Sequence, residues 1–368
     1  MNALHRWAIV ALTTALAIGT PLALRSLPVS TEGTSVVDQL TLMQSSQNTS
    51  YSGYVESLGT LQLPVSDELD QLGPLFGERT RLRVWWDSPE IWRVDQVSAT
   101  GEVDLVRQGK RLTSWEYEGT NVTTAPESSV RLPRVTDLLP PELARFLLNE
   151  ADVADTAAIP GARIAGRAAF GLRVRAPDDR SRIDHVDVWG DVETGVPLRI
   201  AIYGVGADNA DLSSTFLDFV PGKSQARVFA FQAPRGAIMR QQQALDIADA
   251  ANRFAPVIPP NSVADLERVR NDQLRSVGNY GQGMTRVVVI PLWGDIASPL
   301  RKQLSSTPTA EQLTEGPSLA AGPLNLLLTR FPNSDAGWLI VGTVTTETLQ
   351  TVAVDLQGAR SRPRTITN

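Results

Sequence analysis

The stretch from Arg79 to Thr124 constrains this chain more than any other. Polar and apolar residues alternate there with a period of two, in "RTRLRVWWD", "EIWRVDQVS", "EVDLVRQG", "RLTSWEYEG" and "TNVTTA", and the runs are parted by "DSPE", "ATG", "GK" and "GT". Alternation of this kind sends every second side chain to one face of a sheet, while Gly, Asp, Ser and Pro at the breaks supply turns. The segment is therefore expected to be an antiparallel meander with one greasy face in need of cover.

Two stretches carry the helical spacing that could cover it. "TDLLPPELARFLLNEAD" has Pro141 near a first turn and Leu143, Phe146 and Leu147 on one side. Near the start, Ser35 is a plausible N-cap with Asp38 three residues on, followed by the apolar spacing of Val36, Val37, Leu40 and Met43. The Leu/Pro/Gly insertion from Leu58 to Gly77 interrupts the pattern and reads as a loop.

Strands resume in "RIAGRAAFGLRVRAPD", "RIDHVDVWGD", "GVPLRIAIYG" and "SSTFLDFVPG", two of them joined by the turn "DVETG" with Gly195 at its end. "FAFQAPRGA" closes this unit near residue 237. Beyond it the pattern predicts a helix in "QQQALDIADAANRF", a linker at "APVIPPN" and a polar helix around 263–276. There follow the strand "TRVVVIPLW", the helix "DIASPLRKQLSS", the strands "LNLLLTRF" and "GWLIVGTVT", and a last helix with Leu349, Val352, Ala353 and Leu356 on its apolar face. The expected division is 1–30 as an export signal or membrane anchor, 31–237 as a sheet domain, 238–358 as a smaller α+β domain, and 359–368 as a disordered tail.

Address and chemistry follow from what the chain contains. "MNALHR" and the uncharged run Trp7–Leu24 form a cationic start and a long apolar segment, either an export signal or an anchor in the cytoplasmic membrane, so the bulk of the chain is expected outside the cytoplasm. With no cysteine, disulfides, thiolate metal sites and cysteine nucleophiles are excluded, and two histidines leave little acid–base chemistry. The net charge of -6 offers no basic footprint for nucleic acid.

Catalytic motifs fail one by one. "PGKS" at 221–224 ends like a phosphate loop, but Leu217 stands where the loop needs glycine. No Gly-x-Ser-x-Gly elbow occurs. In "IDHVDVW" strand alternation places His185, Asp187 and Trp189 on one face, but without a nucleophile beside them a rim position fits better than catalysis. "GNYGQG", Gly278–Gly283, reads as a flexible entry loop, with an anion nest as the sharper alternative. The expectation is a protein that is not an enzyme, with no catalytic residue, metal or cofactor.

"WWDSPEIWRVD" concentrates three of the chain's eight tryptophans. With "DSPE" as a symmetric hairpin turn, Trp86 faces Ile91 and Trp85 faces Trp92. That register puts Leu82, Val84, Trp86 and Ile91 on the concave side, and these residues, with Phe146 from the covering helix, are the expected lining of a cavity.

The segments "YSGYV", "RVWWDSPEIWRVD", "GEVDLVRQGKRLTSWEYEG", "LLPPELARFLL", "VDVWGDVETGVPLRIAIYG", "STFLDFVPG" and "FAFQAPRGA" together resemble, in this order, actinobacterial members of the LolA/RseB (MucB) superfamily. The resemblance covers about residues 34–237 and carries no catalytic residue. It implies an α+β fold: a curved antiparallel half-open β-barrel capped by helices, followed here by a smaller α+β domain. It also implies a hydrophobic cavity for acyl chains of lipids or lipoproteins, or alternatively a regulatory protein that binds a membrane partner such as an anti-sigma factor.

Overall fold

The computed structural model describes Thr13 and residues 34–61, 72–99, 101–126, 133–241, 257–269, 276–358 and 360–361. Apart from Thr13, the apolar run at 7–24 lies outside the described residues, as do most of the insertion after Leu61 and, apart from Gln241, the expected helix at 241–254.

Helix α1 (Val36–Ser45) begins at Ser35, whose side chain accepts from the Asp38 N–H while Asp38 reaches back, the reciprocal cap that the sequence announces. Strand β1 (Tyr51–Gly59) follows, then the short helix α2 (Leu72–Gly77), where the sequence predicts only loop. The meander comprises β2 (Arg79–Ser88), β3 (Ile91–Val97), β4 (Glu102–Gln108), β5 (Arg111–Glu116) and β6 (Asn121–Pro126). The chain then crosses back through a 3-10 turn at Val135–Leu138 and helix α3 (Pro140–Leu148). It re-enters as β7 (Thr156–Ile164), β8 (Arg167–Arg175), β9 (Ile183–Asp191), β10 (Pro197–Gly204) and β11 (Leu212–Pro221).

These strands make one sheet of twelve in the order β12-β6-β5-β4-β3-β2-β1-β11-β10-β9-β8-β7, where β12 (Ile238–Gln241) lies parallel to β6 and all other pairs are antiparallel. β1 and β11 pair at the centre, so the chain folds outward in both directions from them. The edges β12 and β7 do not meet, and the sheet is open rather than a closed barrel. The crossover from β6 to the β7 edge spans the sheet, and α3 on it packs over the concave face. "FAFQAPRGA" has its own task on the convex side, where Phe229 is buried and Phe231 sits 6.4 Å from Trp115.

The second sheet contains β16 (Gly278–Gln282), β17 (Thr285–Leu292), β18 (Glu311–Gln312), β19 (Pro317–Ala321), β20 (Leu324–Leu328) and β21 (Gly337–Gly342), ordered β16-β17-β21-β20-β19-β18. Helix α4 (Gly294–Ser306) buries Leu300 and Leu304 on one face, and helix α5 (Thr346–Asp355) buries Leu349, Val352 and Ala353 on the other. The polar helix expected around 263–276 is absent over its described part. β14 (Ser262–Val263) and β15 (Leu266–Glu267) form a hairpin there, turning through Ala264 and Asp265 at φ of 47° and 57°. Ala264 is held in that left-handed conformation from two sides, its N–H donating to Asp355 at 2.7 Å and its carbonyl accepting from Arg180 at 2.6 Å. Strand β13 (Val257–Ile258) pairs with β22 (Arg360–Ser361), so the two described residues of the expected tail are paired strand.

The two sheets are stitched together by the connection between β8 and β9. Arg182 N–H donates to the Thr343 carbonyl and Thr345 N–H to the Arg180 carbonyl, each at 2.8 Å, and the Ser181 hydroxyl donates to the Met284 carbonyl at 2.9 Å. Met284 itself is buried in the core of the first sheet. Gly322 also sits in this seam at φ 54°, a backbone conformation that favours glycine. Replacing Met284 by alanine is expected to lower stability by about 2–4 kcal/mol, whereas the exposed Met239→Ala should stay within about 0.5 kcal/mol, as denaturant unfolding would measure.

Candidate functional site

Register decides which aromatic rings share the concave face. A bulge at Asp87 inserts one residue before the β2–β3 turn, so Ser88 pairs with Ile91 and Trp86 pairs with Trp92. The symmetric register expected from "DSPE" is thereby corrected by one residue, and a slip of one moves a side chain to the opposite face. Trp92 turns inward at 1% exposure, and Ile91 turns outward at 38%.

The inward rings form a row. Trp92 stacks on Trp86 at 6.0 Å between centroids, Trp86 on Tyr51 at 6.1 Å, and Tyr51 lies 5.9 Å from Phe219 and 5.6 Å from Phe216. The row crosses β3, β2, β1 and β11. Gly53 makes it possible, since a Cβ there would lie 2.9 Å from the Phe216 ring. Arg134, at the start of the crossover, covers the outer end with its guanidinium 5.1 Å from the Trp92 ring.

Two helices lie on this floor. Leu40 and Met43 of α1 and Leu143, Ala144, Leu147 and Leu148 of α3 join one buried cluster with Leu82, Val84 and Trp86. Between the helices a narrow cleft descends to Tyr51 and Trp86, lined also by Gln44, Gln47, Glu142, Arg145 and Pro197. Its cavity is about 30 Å³, room for about two waters. The Tyr51 hydroxyl at its base is buried and has no hydrogen-bond partner in the protein. Burial pushes the Tyr51 phenol well above its ordinary pKa, with Glu142 adding to the rise and Arg145 opposing it.

Of the five lining residues expected from the sequence, Leu82, Val84 and Trp86 lie together on the inner face. Ile91 does not, because of the bulge. Phe146 does not either: it is 51% exposed, and the Arg286 guanidinium of β17 lies 4.5 Å from its ring. On α3 the buried stripe is 143-144-147-148, which leaves position 146 facing the second sheet. Tyr51 was not singled out, although the alternation of "YSGYV" places Tyr51 and Val55 on one face.

Other polar clusters are engaged elsewhere. Asp187 is held by Arg173 through two hydrogen bonds of 2.7 Å, and His185 stacks on Tyr203 at 4.4 Å with its Nδ1 2.5 Å from Asp184. "GNYGQG" is strand β16 and a tight turn, not an open loop, with Gly281 and Gly283 at φ of 68° and 55°. Among the described residues, Asp95, Glu102 and Asp104 bring carboxylate oxygens within 4.8 Å of one another on the convex face. Arg93 bridges Asp95 and Asp104 at 2.7 Å each, and Arg83 pairs with Glu102 and, at 3.6 Å, with Asp95. Burial, and then repulsion from Asp95, push the Asp104 carboxyl up to about 7.

No family profile and no curated protein matches the chain. Among solved structures it is similar to the Pseudomonas aeruginosa MucA/MucB complex, at 16% identity and a TM-score of 0.49 over 89% of this chain and 98% of that one. It is also similar to MucB in a second structure, at 14% identity and a TM-score of 0.46 over 89% and 98%. A LolA-superfamily protein of Nitrosomonas europaea follows at 12% identity and a TM-score of 0.24, over 54% and 99%. At these identities and TM-scores, what the neighbours bind is a property of the neighbours alone.

The raised Asp104 pKa gives stability a sign with pH. The folded state holds a proton that the unfolded chain releases near pH 4, so this group's contribution is complete below that value and is lost as pH rises through about 7. Asp104→Asn cannot titrate. Between pH 5 and pH 8 its unfolding free energy is expected to fall by ~1–2 kcal/mol less than that of the wild type, measured by urea unfolding at both values.

Proposed function

We propose that this chain is a non-enzymatic binding protein of the extracytoplasmic space that shelters an acyl chain of a lipid or lipoprotein between its two-helix cap and its aromatic floor. The observation that carries this reading is the floor: an unbroken row of rings across four strands, reached through a cleft between two short helices. Leu40, Met43, Leu143, Leu147 and Leu148 of the cap meet it through apolar contacts, which a hydrocarbon chain can replace one for one. The extracytoplasmic placement rests on the apolar run at 7–24. Among the described residues, no helix is long and apolar enough to cross a membrane.

Magnitudes set the mechanism. A cavity of about 30 Å³ is far smaller than the ~300 Å³ or more of a typical ligand pocket, so the chain enters only as α1 and α3 draw apart. Burying some twelve methylenes contributes about 10 kcal/mol. Lifting three leucines off the floor costs about 1.5–3 kcal/mol each, so most of the gain is offset and binding is reversible.

A regulatory version of this function is favoured by one contact. Phe146 on the cap is covered by Arg286 of the second sheet, and Met284 from the same strand edge lies in the first sheet's core, so a cap that moves disturbs the second unit. In that version the unit around 31–237 takes the ligand and the unit around 238–358 presents the change to a membrane partner.

The test is direct. Protein purified without detergent and extracted with organic solvent is expected to yield acyl species near one per chain by mass spectrometry or, if isolated empty, to take up labelled hexadecanoate saturably at that ratio. Neither lipid nor saturable uptake would remove the proposal.

A further inference from the structure

The geometry points to Tyr51 as the residue that selects the ligand's head: its hydroxyl donates a hydrogen bond to a carbonyl or carboxylate oxygen at the end of a single acyl chain seated in the cleft. This inference rests on the acyl-binding reading and adds the chemistry of the head to it. Tyr51 is only 2% exposed, yet its Oη has no hydrogen-bond partner among the protein's own groups. A buried phenol is ordinarily satisfied, because leaving the donor unpaired is unfavourable. The ring is fixed by Trp86 on one side and by Phe216 and Phe219 on the other, so the hydroxyl cannot swing away in search of a partner.

The surroundings choose the class of ligand. The phenol stays protonated throughout the physiological range, since burial holds its pKa high, and it therefore offers a donor at every working pH. Glu142 and Arg145 line the α3 side of the cleft above it. Gln44 and Gln47 line the α1 side. A quaternary ammonium head carries no acceptor for the Tyr51 hydroxyl, so its affinity comes from the π-faces of the floor, which Tyr51→Phe retains. A fatty carboxylate or an acyl ester has the acceptor, with an apolar chain to lie along Trp86 and Trp92 behind it.

The test uses the full chain, wild type and Tyr51→Phe, with three probes of equal chain length: dodecanoate, methyl dodecanoate and dodecyltrimethylammonium, each below its aggregation concentration. Wild type is expected to bind dodecanoate and the methyl ester about tenfold tighter than the ammonium, and Tyr51→Phe to bring both close to the ammonium while leaving the ammonium unchanged. A preference for dodecanoate over its ester would identify the free acid as the head, and equal binding would identify the shared carbonyl. The ligand-free variant is expected to melt no lower than wild type, because the hydroxyl it lacks is unpaired. Unchanged carbonyl binding in Tyr51→Phe overturns the head assignment while leaving acyl binding intact. A clear drop in melting temperature with binding retained overturns it as well, since the hydroxyl would then serve the fold. Absence of binding by any probe to wild type overturns both this inference and the function beneath it.

Discussion

An open antiparallel sheet of twelve strands presents one continuous apolar face, and nothing in the sheet can cover it. Everything else in the first unit answers that constraint. Because β1 and β11 pair at the centre, the chain has to travel from the β6 side of the sheet to its β7 edge, and the described part of that crossing runs over the concave side. That route carries Val135, Leu138, Leu139 and α3, and α1 completes the cover. The cover is built from side chains that are interchangeable with hydrocarbon, so the interaction that closes the fold is also the one a lipid would exploit.

The second unit leans on the same cover. β17 and its turn place Met284 in the core of the first sheet and Arg286 over Phe146, while the β8–β9 connection supplies backbone hydrogen bonds to Thr343 and Thr345. Burial holds the Arg286 pKa below its ordinary value. The convex face follows different rules. Its strands are knitted by ion pairs such as Arg93 with Asp95 and Asp104 and Arg173 with Asp187.

Much of this was legible in the residues. Alternation from Arg79 to Thr124 gave five strands, the Ser35–Asp38 pair gave a capped helix, and Leu349, Val352, Ala353 and Leu356 gave the buried face of α5. What stayed hidden has physical causes. The bulge at Asp87 is a backbone event with no residue signature, and it alone exchanges Trp92 for Ile91 on the inner face. Phe146 matches an apolar stripe on α3 equally well on either side, and only the neighbouring sheet decides which stripe is buried. The turn at Ala264 and Asp265 defies local preference, since it is held from outside by Asp355 and Arg180. Tyr51 was legible as an inward residue and illegible as a site, because an unpaired hydroxyl is a property of its surroundings and not of its sequence.

The central claim is that acyl chains lie on the aromatic floor beneath the cap. The most direct measurement is photolabelling with a fatty acid that carries a diazirine midway along its chain, followed by peptide mapping of the adducts. Saturable labelling confined to the floor and its cover, at β1, β2 and α3 and competed by unlabelled fatty acid, is the predicted result. Labelling on the convex face or the second sheet alone, or labelling that fatty acid does not compete, would contradict it.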